Sequence, residues 1–259
     1  MGNLSKIGRI FYGIAIAGIG FPTIYYKDFP YMLLPPQPFL IPGNVMSIYI
    51  TGTLLILAGV FIVIEKKTRP VSFLLGCVLL LIFCFLYIPY MFSATSNYKH
   101  LVEWDNAGKE LALAGGAFVI AGCYSRKKEI PLNRFWGKLM LLGAILFSIP
   151  IISFGILHFL IAKDVATMVP SWIPYPVFWA YFAGTALMGS GIAIILKIRP
   201  GLMAALLGTM IFIWFIILHI PRVVAAPSSD LEGEVTSAFL ALAYSGIAFV
   251  IAGAAKRIA

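Results

Sequence analysis

A chain of 259 residues with 61% hydrophobic and only 11% charged side chains cannot clothe a water-facing globule, because soluble domains carry about 25% charged residues. The composition excludes a soluble enzyme and predicts a protein embedded in lipid. The net charge of +9 would suggest a nucleic-acid partner in a soluble protein, but here its position along the chain gives a better account.

Eight apolar segments, at about 8–26, 44–64, 71–92, 107–124, 135–161, 176–196, 200–221 and 235–255, are long enough to cross a hydrocarbon core of about 30 Å. The first follows Lys6 and Arg9 as a secretion signal would, yet no small-x-small cleavage site follows it. Its exit is Pro22-Thr23-Ile24-Tyr25-Tyr26, so a retained helix is expected. The stretch Leu33 to Gly43 then holds Pro35, Pro36, Pro38 and Pro42, and its counterpart Val169 to Pro176 is proline-rich as well. Proline blocks regular helix while the flanking residues stay apolar, which places both connections in the membrane interface. There Trp172, Tyr175, Trp179 and Tyr181 are expected at headgroup level.

The third segment carries Cys77 and Cys84 on one face, about 10 Å apart along the axis and too far for a disulfide. Together with Cys123 they read as buried small hydrophobes. It closes on Leu86-Tyr87-Ile88-Pro89-Tyr90, and the seventh closes on the related Leu218-His219-Ile220-Pro221-Arg222. In the seventh, the proline signals that the helix is about to end. Tyr87 and Tyr90 read as interface aromatics. Pro150 in the fifth segment predicts a kink or tilt.

With alternate loops assigned to opposite sides, Lys27, Lys99, Lys109, Lys163 and Arg222 fall on one side. Every other Lys and Arg falls with the two termini. The positive-inside rule then puts both termini in the cytoplasm and explains the net charge without an acidic partner. His100 falls in a polar loop on the opposite side and reads as solvated.

The chain also repeats. Ala117-Phe118-Val119-Ile120-Ala121-Gly122 recurs unchanged at Ala248 to Gly253, and Arg69-Pro70, Gly52-Thr53 and Glu103 are answered by Arg199-Pro200, Gly184-Thr185 and Glu234. Four helices per copy is an even number, so the copies run parallel about an axis along the membrane normal. The expected fold is all-α and polytopic: eight transmembrane helices as two parallel-repeat four-helix bundles, residues 1–124 and 135–259, joined by the basic linker 125–134.

In the second copy, Phe154-Gly155-Ile156-Leu157-His158-Phe159, Val169-Pro170-Ser171-Trp172-Ile173-Pro174, Phe178 to Gly184, Leu218 to Arg222 and Glu234 to Phe239 resemble, in order, the bacterial DoxX-like family of four-helix membrane proteins. The resemblance implies a bacterial cytoplasmic (inner) membrane and a four-helix unit, and some relatives are associated with quinone-linked sulfur or thiol oxidation. The first copy keeps the spacing but lacks the histidines and the arginine.

Counted from the cytoplasmic helix ends, His158 and His219 sit at one depth, about 30 Å up. Arg222 is one turn beyond, and Glu232 and Glu234 lie at the same level. The ligand-binding candidates are therefore His158, His219, Arg222, Glu234, Trp172 and Trp179, placed at the outer mouth of the second bundle. No residue is assigned as catalytic. A quinone-type or other lipophilic head would need a donor such as His or Arg at that depth. The resemblance then implies a subunit or accessory factor of a membrane redox system, with the lipid bilayer and a redox protein as partners. A purely structural role for these side chains, in a non-catalytic scaffold or recruiting module, is the alternative. Haem between His158 and His219 would need neutral imidazoles on facing helices; their equal depth permits it, but two histidines alone are weak evidence. Zinc lacks its usual ligand spacing, and no metal site is expected. Finally, no Asp, Glu, Lys, Arg or His is expected near the centre of any span, which argues against ion transport.

Overall fold

The structure is a computed structural model that describes residues 2–30, 34–35, 45–93, 101–124 and 134–258, the backbone alone for 101, 102 and 256–258. Most of the first proline-rich connection, His100 and the basic linker up to residue 133 lie outside the described residues. The long helices are α1 (Asn3–Tyr26), α2 (Val45–Val63), α3 (Thr68–Ser93), α4 (Leu101–Cys123), α5 (Arg134–Leu160), α6 (Pro176–Ile195), α7 (Pro200–Ala225) and α8 (Leu231–Ile258). A short helix, Ala162–Thr167, follows α5. Among the described residues there is no strand, and seven helices are long and apolar enough to cross a membrane. The exception is α4, whose first turns carry Glu103, Asp105, Lys109 and Glu110. The protein is thus an all-helical, multi-pass membrane protein. Its surface agrees, with Leu54, Leu74, Phe85, Leu160 and Leu206 each at least 55% exposed along the helix flanks.

The closest helix contacts do not stay within the two halves. α1 packs on α2 and, equally broadly, on α8 at the other end of the chain, while α4 packs on α3 and on α5. α5 also lies on α6, and α8 on α7. The outcome is a central group of α1, α4, α5 and α8, flanked by α2 with α3 and by α6 with α7. That pattern differs from two self-contained bundles. Its cause is visible at the seams. A side chain built on Gly143 would sit 2.5 Å from the Gly115 carbonyl oxygen, and one on Gly8 would sit 2.3 Å from that of Gly246. Lipid tails offer helices no hydrophobic reason to associate, so backbones that approach this closely gain their contact from dispersion.

Backbone details recur at a spacing of 132 residues. Glu65 and Lys197 share a left-handed φ (59° and 58°), as do Lys67 and Arg199 (52° and 44°). A π-helical turn spans Phe83–Tyr87 in α3 and Phe215–His219 in α7. In each case a proline follows two residues later, at Pro89 and Pro221. Proline has no N–H to give and its ring would strike the carbonyl four residues back, and one extra residue in the turn relieves both problems. Hence the proline in Leu218 to Arg222 does not close the helix, which continues to Ala225. α5 likewise runs unbroken through Pro150. No disulfide joins the three cysteines, and only Cys123 is buried; Cys84 is exposed on the apolar flank.

At the end that carries the termini, cations close the helix ends. Arg9, 3% exposed, donates to the carbonyls of Ile62 and Val63 (2.8 Å for the second) and pairs with Glu65 at 2.7 Å. Arg69 donates to Ala121 and Tyr124 at the end of α4 and covers the ring of Trp136 at 4.8 Å. Each satisfies C-terminal carbonyls that have no partner within their own helix.

Candidate functional site

The far end of the second half holds a cavity of about 460 Å³ between α5, α6, α7 and α8, closed on one side by α4. Leu157, Ala183, Leu187, Ile211 and Leu240 make most of its wall apolar. Trp179 and Trp214 stand edge to face at 6.2 Å and form an aromatic flank. Trp179 is fixed by its indole N–H, which donates to the Pro174 carbonyl at 3.1 Å in the proline-rich connection. Proline at 174 and 176 keeps that connection out of a helix and leaves a free carbonyl for the indole.

His158 and His219 both line this cavity. His158 is oriented by Nδ1, 2.7 Å from the Phe154 carbonyl oxygen one turn back. A carbonyl only accepts, so Nδ1 carries the proton and the neutral ring turns an Nε2 lone pair outward. His219 ends the π-helical turn of α7, and its buried Nδ1 has no partner. The pair therefore brings one imidazole held by the backbone and one with an unpartnered ring nitrogen to a mostly apolar wall.

Arg222 and Glu234 are joined to each other. Nε of Arg222 donates to Oε2 of Glu234 at 2.9 Å, and a second bond from Nη2 to Oε1 completes the fork. The ion pair ties the end of α7 to the start of α8 beside His219, but neither residue is part of the cavity wall. Trp172, 71% exposed, also stands outside it. Of the six candidates, the cavity brings together His158, His219 and Trp179. For the ion pair, a double-mutant cycle of Arg222→Ala and Glu234→Gln is expected to give a coupling of about 1 kcal/mol. Thermal unfolding in mild detergent reads it, and added salt should shrink it because the pair is partly exposed.

Sequence reading missed the contribution of the first half. Asp105 and Lys109, an i,i+4 pair with Nζ 2.6 Å from Oδ2, line the cavity from α4, and Lys109 also bonds Asn106 at 2.8 Å. Asp105 faces His158 electrostatically. Tyr244 of α8 completes the wall, packed on Phe147 and Phe154 of α5 with centroids 6.2 and 5.9 Å away. An acid and a base one turn apart at the start of an otherwise apolar segment was the available signal.

One ionisable side chain of α4 is not solvated: Glu110, in its third turn, is 1% exposed. Tyr87 is not an interface aromatic either, being fully buried with no partner for its hydroxyl. Compared with known protein families, curated proteins and solved structures, the chain finds no match.

Proposed function

We infer that this protein binds a lipophile with a small oxygen-bearing head, of the quinone type, and serves a membrane redox system as a subunit or accessory factor. The observation that carries the reading is the presence of His158, held by the Phe154 carbonyl, and His219, with an unpartnered Nδ1, at one mostly apolar cavity. A quinone head presents acceptors and its reduced form presents hydroxyls, and imidazole nitrogens, able to donate or accept by tautomer, suit both forms. The flat aromatic flank of Trp179 and Trp214 suits a planar ring, and the apolar wall suits its tail.

The resemblance to the DoxX-like family supports the same reading and a bacterial cytoplasmic membrane with both termini inside. We take α4 as an eighth crossing, its polar turns turned inward, and the chain as a duplicated four-helix unit. The recurrent π-helical turns and left-handed residues support that duplication. The alternative of a non-catalytic scaffold draws on the exposed Trp172 and Tyr175.

Titration of purified protein in lipid nanodiscs with a short-tailed benzoquinone tests the reading through tryptophan fluorescence. Saturable quenching is expected, lost when Trp179 and Trp214 are both changed to Phe. His219→Ala should weaken apparent affinity roughly tenfold, the scale of one well-placed buried hydrogen bond. Trp172→Phe should leave it unchanged. Linear quenching indifferent to His158 and His219 would refute the ligand assignment.

A further inference from the structure

Glu110 belongs to a second polar group, deeper than the histidines and made by both halves of the chain. Among the described residues it is the one acid that is fully buried, and its Oε2 has no hydrogen-bond partner. Among the described residues no ion pair reaches it; the adjacent Lys109 bonds Asp105 and Asn106 instead. Three tyrosines from three other helices share its electrostatic environment. Tyr12 of α1, Tyr87 of α3 and Tyr244 of α8 all lie within its electrostatic reach. Tyr12 gives its hydroxyl proton to the Leu113 carbonyl at 2.8 Å, whereas the buried hydroxyls of Tyr87 and Tyr244 have no partner.

Glu103 stands two turns before Glu110 on the same face of α4, about 10.5 Å away along the axis and too far for direct transfer. Tyr87, the last residue of its π-helical turn, is within electrostatic reach of both acids, and its buried hydroxyl and one oxygen of each acid are unpartnered. Beyond Glu110, Tyr244 reaches the wall of the histidine cavity. A carboxyl buried without a counter-ion exists with a proton or a metal cation on it. The neighbours favour the proton. Among the described residues no cluster of three His, Cys, Asp or Glu side chains gathers here, and phenol hydroxyls are poor cation ligands. A phenol hydroxyl does donate and accept at once, which a relay requires.

We propose that Glu110 is a proton-binding site inside the membrane, filled from the far end by way of Glu103 and Tyr87 and linked through Tyr244 to the histidine cavity. The transfer is a proton exchange alone: Glu110 takes one proton, the relay hydroxyls each accept one and pass one on, and no electron moves. The titratable groups that feel its charge are Tyr12 on α1, Tyr87 on α3 and Tyr244 on α8, while Glu103, Asp105 and Lys109 lie on α4 itself. α5 adds His158, which faces Asp105. The link to the cavity rests on the ligand reading above; the proton site does not.

Infrared difference spectra of the whole protein reconstituted in phosphatidylcholine vesicles, taken across a pH step without any quinone, test the site. One protonated-carboxyl stretching band is expected, absent in Glu110→Gln, displaced in Glu110→Asp and retained in Glu103→Gln and Tyr244→Phe. Hydrogen–deuterium exchange of that band should slow at least tenfold in Tyr87→Phe. A band unchanged in both Glu110 variants would overturn the site, and unchanged exchange in Tyr87→Phe would overturn the route. Loss of the band when sodium replaces potassium at constant pH would make it a cation site instead. Failure of the quinone titration would leave all of these results standing, so the two readings fall separately.

Discussion

Gly143→Val is expected to abolish recovery of monodisperse protein, whereas Gly189→Ala should leave it intact or slightly improved. Both residues are helical glycines, so the contrast isolates packing from backbone preference. At Gly143 even a Cβ would meet the Gly115 carbonyl oxygen at 2.5 Å and the Val119 nitrogen at 2.8 Å, both backbone atoms that no rotamer change can move. Valine adds two methyl groups to that collision, and overpacking at a tight seam costs about 1–3 kcal/mol or more. At Gly189 there is nothing within 4 Å of the new methyl group. Replacing a mid-helix glycine by alanine in open space gains about 0.5–1 kcal/mol. Size-exclusion profiles and melting temperatures in one detergent measure both, and equal behaviour of the two variants would refute the close seam between α4 and α5.

Arg9→Met is the second large effect we expect, a destabilisation of about 2–4 kcal/mol at nearly constant volume. Arg9 is buried and reaches two carbonyls at the end of α2 together with the Glu65 carboxylate. Methionine fills the space but leaves all three acceptors without their donor, and hydrogen bonds to a charged group are worth about 1.5–3 kcal/mol each. The sum is discounted because Glu65 is 46% exposed and water can replace its share. Arg9→Lys should recover only part of the loss. An ammonium is a compact point donor, while the guanidinium fork serves the α2 terminus and the carboxylate together. Thermal unfolding of the three proteins in nanodiscs decides the matter, and a full recovery by lysine would mean that charge alone is at work.

Helix positions were legible because lipid imposes a simple rule: an apolar run long enough to cross becomes a helix. The segment 176–196 is realised as Pro176–Ile195, and 8–26 lies within Asn3–Tyr26. Pro221 was misread because a proline reports only a missing donor and a steric clash. Whether the helix stops or adds a residue to its turn depends on neighbours that sequence does not display. Glu110 escaped for a related reason. The run Glu103, Asp105, Lys109, Glu110 looks like the wetted start of a helix, yet its last member is buried, within electrostatic reach of Tyr12, Tyr87 and Tyr244 from three distant stretches. The histidines and Trp179 were visible as polar or amphipathic side chains at one height. Trp172 shares that height but not that direction, and height was all the spacing could supply.

The partnership of α1 with α8 bears on how the molecule is made. When α1 leaves the ribosome, Gly8 and its neighbours face a surface that does not yet exist, since Gly246 lies in α8 and is synthesised much later. Until α8 has been made, that narrow glycine face must be kept from other partners by lipid or by the insertion machinery. Closing this seam thus becomes a late event that joins helices far apart in the sequence.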